Sequence, residues 1–407
     1  MKFIPLLLFA FLLCCPNPQL AAQEGNAELP DDSIRLSLLT CAPGEEVYSL
    51  FGHTAIRYED PSRGIDVVFN YGMFSFSTPN FMFRFTSGET DYELGVSDYR
   101  RFAGEYEYFG RNVWQQTLNL TQDEKEELIA LLEANYRPEN RVYRYNFLYD
   151  NCATRPRDII EKSVLGKVVY PEDATTTAPP KTFRDMIHQF THGHAWLQFG
   201  IDLCIGNEAD RPITTRQKMF APSYLMNSFS TAKIVKSRKE YPLVQATGKI
   251  VDCKLSGKET RTTTKTPIPT PLQAALLLFI LTAGATIYGL KKKKSLWGID
   301  LLLFGAAGIV GCVITFLVLF SQHPAVSSNY LLFIFHPAQL LCLPFIIHAA
   351  IKRKKSKYHL CNALVLTLFI LLFPLMPQRF DLAVVPLALS LLTRSASHLI
   401  LTYKRKK

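Results

Sequence analysis

The sequence predicts a mixed α+β domain exported across a membrane, followed by an all-α domain of five transmembrane helices. Three observations carry this. The chain opens on an apolar leader, its next 230 or so residues are polar and mixed, and its final third holds five long apolar stretches. At 407 residues the chain exceeds one ordinary core, and 48% hydrophobic with 20% charged residues excludes a disordered polymer. The leader and the apolar stretches together exclude a soluble cytosolic enzyme.

Residues 1–23 read as a secretory signal. Lys2 supplies the charged start, Phe3–Leu13 the apolar run, and Leu20-Ala21-Ala22 a small-residue cleavage region. A lipobox at Leu12-Leu13-Cys14 fits poorly, because the residue before the cysteine should be small. Residues 24–253 form the exported domain. Residues 254–270, rich in Thr and Pro with several basic residues, read as a solvated linker. The apolar stretches follow at 271–290, 296–320, 329–351, 361–376 and 380–403. Most approach the roughly 20 residues that span a bilayer core. Residues 404–407 form a basic tail.

The formal charge of +10 is local. Thirteen basic residues sit in Lys291–Lys294, Lys352–Lys357 and Lys404–Lys407, and without them the chain nets −3. No nucleic-acid-binding surface follows from such a distribution. The clusters follow the first, third and fifth stretches, which share one side of a five-span chain. Positive charge marks that side as cytoplasmic, so residues 24–270 face the periplasm.

Inside the exported domain, Ile34–Thr40, Thr54–Tyr58, Asp66–Tyr71 and Val113–Leu120 read as strands. Thr121-x-x-Glu124 is a capping box that opens a helix with Leu128, Leu131 and Leu132 as its buried stripe. Arg141–Tyr149 sets Tyr143, Tyr145, Phe147 and Tyr149 on one face of an extended segment, and Ala153–Leu165 follows as a helix. Met73–Phe85 carries Phe74, Phe76, Phe81, Phe83 and Phe85 with little charge. It is either a core hairpin or helix, or an apolar lip in which Phe81 and Phe83 meet lipid.

Nine cysteines do not form a disulfide framework. Cys14 and Cys15 leave with the signal, and Cys312, Cys342 and Cys361 are intramembrane. Cys41, Cys152, Cys204 and Cys253 remain in an oxidising compartment, with Cys204–Cys253 the one bridge to look for. Cys152 stands out. It follows two N-capping residue types, Asp150 and Asn151, at a helix start, with Arg155 and Arg157 close behind. Helix-terminal charge and guanidinium groups favour a thiolate. Pro156 would fall in the fifth helical position and cost a backbone bond, leaving the first turn irregular. The plain alternative is an inert structural cysteine.

A nucleophilic thiol needs a base. His53 opens a strand in Gly52-His53-Thr54-Ala55-Ile56 and is a rigid mount for an imidazole, with Asn70 on the next strand as a candidate to orient it. His188, His192 and His194 form a competing, zinc-like spacing, but no Glu lies within it as a base and Gly193 interrupts it. His323 lies in the outward loop Ser321–Ser328, which lines a substrate entrance or is an ordinary polar loop. Asp300 and Arg394 lie inside spans and are expected to pair.

Two segments, Gly-His-Thr-Ala-Ile-Arg-Tyr at 52–58 and Tyr-Asp-Asn-Cys-Ala-Thr-Arg-Pro-Arg-Asp at 149–158, resemble permuted papain-like enzymes of the NlpC and lecithin:retinol acyltransferase group. There histidine precedes cysteine and an Asn-Cys pair begins a helix. The stretch Phe199–Asp210 and the five-span module add a resemblance to the Lnb-type lipoprotein N-acyltransferases of diderm bacteria, over nearly the whole mature chain. The resemblance implies a permuted papain-like α+β domain. It implies that Cys152 takes an acyl chain from a phospholipid as a thioester and passes it to the α-amine of a lipoprotein's lipid-modified cysteine. His53 would move the protons. No motif settles Asn70 as the third member. Arg155, Phe81, Phe83 and His323 are the candidate substrate contacts, and neither a cofactor nor a metal is expected. A membrane-anchored cysteine hydrolase acting on peptidoglycan or lipid is the alternative, and a catalytically idle receptor a further one.

Overall fold

The computed structural model describes residues 34–74, 79–171, 180–253 and 269–403. The signal, Phe76, nearly all of the linker and the basic tail lie outside these residues.

Seven strands make the main sheet: β1 (Arg35–Cys41), β2 (His53–Asp60), β3 (Ile65–Met73), β4 (Asp91–Asp98), β5 (Val113–Leu118), β6 (Val142–Arg144) and β10 (Val244–Val251). Their order is β10-β5-β1-β2-β3-β4-β6. The strands β7 (Lys167–Val169), β8 (Lys233–Lys236) and β9 (Lys239–Pro242) form a separate three-stranded sheet. In β1, Leu36 and Leu38 face one core while Leu39 and Cys41 face another. Burial on both faces explains why this strand reads as a nearly continuous apolar run.

The helices α1 (Phe81–Ser87), α2 (Tyr99–Tyr108), α3 (Gln122–Tyr136) and α4 (Thr154–Ser163) alternate with these strands. Thr121 accepts from Glu124 N–H while the Glu124 carboxylate accepts from Thr121 N–H at 2.8 Å, the expected reciprocal cap of α3. Leu128 and Leu132 of α3 pack with Ile159 and Ile160 of α4 in the core beneath β2 and β3. The expected long aromatic strand is cut short. Val142–Arg144 pairs with β4, and the Asn146 side chain then accepts from Leu148 N–H and Tyr149 N–H, turning the chain before Tyr149 can join the inner face.

Two further helices, α5 (Phe183–Phe190) and α6 (Ala195–Cys204), lead to the membrane side. Arg184 is buried there and binds Asp202 at 2.6 Å and Asp210 at 2.8 Å. His188 is held by Asp202 at 2.9 Å, so the zinc-like triad is not assembled; among the described residues no group of three or more His, Cys, Asp or Glu is arranged to hold a metal. Cys204 carries a free thiol at the end of α6, whereas Cys253 lies in the core with Cys41; the Cys204–Cys253 bridge does not form.

Among the described residues the C-terminal region has four helices long and apolar enough to cross a membrane: Pro271–Lys291, Trp297–Phe320, Lys357–Leu375 and Val384–Tyr403. The expected third span is not one helix. It is the pair Tyr330–Leu341 and Leu343–Lys352, bent by 73°. Close packing on two glycines accompanies the break. A Cβ on Gly311 would stand 2.4 Å from His336 N, and one on Gly308 would stand 2.6 Å from Leu340 N. Gln339 donates to Ile334 O at 2.7 Å, recovering one carbonyl that the broken helix leaves exposed. Asp300 and Arg394 pair as expected, at 2.6 Å and buried, with Arg394 also donating to Thr286.

The α+β domain meets one end of these helices. Trp196 donates to Pro269 O, Gln378 to Ile205 O and Asn329 to Leu203 O, while Arg379 pairs with Asp185. Gly206 packs so closely that a Cβ there would stand 1.9 Å from Ser327 O. Lys291–Lys294 and Lys352–Lys357 lie at the other end of the same helices.

Candidate active site

Asn151 anchors the turn into α4. Its side-chain oxygen accepts from Ala153 N–H at 2.8 Å and Thr154 N–H at 2.9 Å, and its amide donates to Phe147 O at 2.8 Å and Phe220 O at 2.9 Å. All four bonds of a buried amide are thereby satisfied. Asp150 does not cap; it forms a bidentate pair with Arg155 at 2.6 and 2.8 Å. The helix starts at Thr154, so Pro156 is its third residue, where no intrahelical N–H bond is required. Before it, Arg155 N–H bonds Asn151 O at 3.1 Å and Arg157 N–H bonds Ala153 O at 3.2 Å, and the bond between them, to Cys152 O, is the one Pro156 cannot donate, so the turn leading into the helix is irregular at Cys152, as expected.

Cys152, just before the helix, is partly exposed at its surface. Its sulfur faces the backbone N–H of Thr54 and lies near its own N–H, both of which favour the thiolate. Thr54 follows His53, so the start of β2 and the start of α4 meet at the thiol. The His53 ring is hydrogen-bonded by Asn70 of β3. Asn70 is in turn positioned by Val68 O at 3.3 Å and the Ser97 hydroxyl at 3.4 Å. The structure thus brings Cys152, His53 and Asn70 into one neighbourhood. Beside them Gly72, at φ +91°, leaves a notch. A Cβ there would lie 3.4 Å from Cys152 Cβ, 3.8 Å from Tyr145 Cε2 and 3.9 Å from Tyr143 Oη.

The expected acidic thiol is not what this environment makes. Burial pushes Cys152 up from 9.0 to about 11, with the two N–H groups opposing only in part. Arg155 does not offset this, because Asp150 holds its guanidinium over the Tyr143 ring, 3.4 Å from the centroid. Arg157 is taken by Asp158 and Arg216 O. Burial also pushes His53 down from 6.5 to about 4, against the opposing pull of Asn70. At neutral pH Cys152 therefore rests as a thiol and His53 as a neutral imidazole.

Phe81, Phe83 and His323 form a second group. In α1, Met82 is 72% and Phe83 62% exposed, so the helix is a lip and not a core element. Phe83 meets Phe316 of the second membrane helix with centroids 5.9 Å apart. His323 lies at 5.5 Å from the Phe85 ring and hydrogen-bonds Phe85 O. Ser321 and Gln322 bond Thr86 O and Ser87 O, so this loop clamps the lip to the membrane helices. A row of rings joins the two groups: Phe81 on Phe74 at 6.0 Å, Phe74 on Tyr92 at 5.0 Å, and Tyr92 on Tyr145 at 4.0 Å. Tyr92, Gly72 and the Thr54 amide were not singled out in the sequence, because their place depends on β3–β4 pairing and on where α4 begins.

Residues 22–189 match a family described as the Lnb N-terminal periplasmic domain, and residues 262–406 match the Lnb transmembrane domain. No curated protein and no solved structure matches the chain. The two matches fall on the two halves of the fold in the same order and between them cover most of the sequence: the chain belongs to the Lnb family of lipoprotein N-acyltransferases, as a membrane protein with a periplasmic domain.

Proposed function

We propose that the protein transfers a fatty acyl chain from a phospholipid, through a thioester on Cys152, to the α-amine of a lipoprotein's lipid-modified N-terminal cysteine. The observation that carries this reading is the row of stacked rings from the membrane-clamped lip to Tyr145 beside the nucleophile. It offers an apolar path for an acyl chain, and a hydrolase of polar peptidoglycan would have no use for one. Phe81 and Phe83 meet the chain as it leaves the bilayer, and His323 holds that lip in place. Arg155 acts on the substrate only through Tyr143.

In the first half-reaction the sulfur attacks the ester carbonyl. The C–S bond forms, the thiol proton passes to His53, and collapse expels the lysophospholipid, whose oxygen takes that proton back. In the second, the acceptor amine attacks the thioester, loses a proton to His53, and the Cys152 sulfur leaves and is reprotonated. A discrete thiolate–imidazolium pair is strongly disfavoured in this site, so deprotonation and C–S bond formation proceed together. Asn70 orients the ring without adding charge. The low water content that raises the thiol also protects the thioester from hydrolysis.

The order of histidine on a strand and cysteine at a helix start supports a permuted papain-like domain. The reading divides the chain into a signal (1–23), a periplasmic catalytic domain (24–253), a linker (254–270), a five-span inner-membrane domain (271–403) and a cytoplasmic tail (404–407). Mass spectrometry of a lipoprotein N-terminus from a deletion strain tests it. The N-linked acyl chain should vanish, return with the wild-type gene, and stay absent with Cys152→Ala. An unchanged N-acylated terminus in the deletion strain would sink the proposal and favour the hydrolase.

A further inference from the structure

The hydroxyl of Tyr143 is an orphan. The residue is 8% exposed, yet its Oη has no hydrogen-bond partner among the described residues. Leaving such a group unpaired costs about 1–3 kcal/mol, and a phenylalanine would pack in its place without that cost. The orphan has an address. Its Oη and the Cβ of Cys152 border the same notch over Gly72, at 3.9 and 3.4 Å from the point where a Cβ would stand. Its ring is held still, with the Arg155 guanidinium 3.4 Å above the centroid and Tyr71 edge-on at 6.4 Å. Arg155 is itself fixed by its two bonds to Asp150.

When an acyl carbon reacts on Cys152 the C=O pair moves onto oxygen and charge develops there, and this notch is the space beside Cys152 that a side-chain donor already borders. We infer that Tyr143 donates its hydroxyl hydrogen bond to the acyl oxygen in both half-reactions, as the side-chain member of the oxyanion hole. The inference rests on the thioester chemistry proposed above and names a catalytic residue that chemistry leaves open. Tyr143 keeps its proton throughout; the proton that moves is the one His53 carries. Burial raises the phenol well above its ordinary range, so it stays a donor at every pH at which the enzyme is folded.

The test is single-turnover acylation of full-length protein in proteoliposomes with a fluorescent-acyl phosphatidylethanolamine, reading thioester formation on Cys152. Tyr143→Phe keeps the ring, its stacking and the Arg155 contact. It should acylate on the order of 10²–10³-fold more slowly, as loss of one oxyanion donor does elsewhere, with half-saturating donor concentration unchanged and a melting temperature equal to or above that of wild type, since the unpaired hydroxyl is gone. Fluorinated tyrosine at position 143 provides a second handle, since activity should then gain an alkaline limb that tracks the acidity of the substituted phenol. Acylation by Tyr143→Phe within threefold of wild type, with Cys152→Ala inactive, overturns this inference and leaves the thioester reading standing. Product from Cys152→Ala removes both.

Discussion

The backbone N–H of Thr54 points at the sulfur of Cys152, joining positions almost a hundred residues apart. Thr54 follows His53 in the chain, so the same contact sets the start of β2, which carries His53, against the thiol. It also does less for acidity than its geometry suggests, since burial outweighs it and the thiol stays near 11.

Alkylation should show this. A thiol at about 11 holds roughly a hundredfold less thiolate at neutral pH than one at 9.0. Iodoacetamide should therefore label Cys152 at least about 100-fold more slowly than a small free thiol at pH 7.5, with the rate climbing towards pH 11. Rapid labelling at neutral pH would reveal a preformed ion pair and contradict the neutral resting state.

His53 carries the acid limb. Its folded value of about 4 lies below the ordinary 6.5, so the unfolded chain binds the proton first as pH falls. Its contribution to stability is full above 6.5, declines between 6.5 and 4 by roughly 3 kcal/mol, and is level below 4. Denaturant midpoints measured at pH 7 and pH 5 should converge in His53→Gln relative to wild type. Asn70→Asp sets a carboxylate against the ring and should raise its affinity for protons, moving the acid limb of activity towards neutrality.

Asn151→Ala removes four hydrogen bonds at once and leaves Phe147 O and Phe220 O without that donor. A loss of about 2–4 kcal/mol in stability is expected, with activity falling further because the Cys152 turn loosens. Asn151→Asp keeps the two acceptor bonds but presents oxygen to both carbonyls, and should be nearly as damaging. Thermal melts in detergent alongside acylation rates compare the two.

Gly206→Ala should separate the domains. The added Cβ would meet backbone oxygen of Ser327 at 1.9 Å, and neither chain can yield as a side chain could. The expected result is a lower melting temperature and faster proteolysis of the Ser321–Ser328 loop. Normal melting and protection would show that the junction shifts at little cost.

Arg184→Met leaves the buried side chains of Asp202 and Asp210 without the guanidinium that joins them. Breaking a buried pair from one side costs about 3–5 kcal/mol. Denaturation against wild type measures that loss, and Arg184→Lys, which keeps a cation there, should recover part of it. Equal loss in both variants would indicate a packing defect instead.

Much of this molecule is legible locally. The membrane stretches follow from length and apolarity, the start of α3 from Thr121 and Glu124, and the strands around His53 from alternation, because each depends on residues within a few positions. The family resemblance was likewise carried by two short motifs, at 52–58 and 149–158. Other features needed the assembled fold. Arg155 reads as a charge beside Cys152 until Asp150 claims it. The third span reads as continuous until its backbone meets Gly308 and Gly311. Tyr143 and Tyr149 read alike until a turn at Asn146 sends only one inward. The acidity of Cys152 is the clearest case: its neighbours in sequence favour the thiolate, while the segments that bury it arrive from β2, β3, β4 and β6. Solvent exclusion is set by all of them together, and no window of sequence around the cysteine contains it.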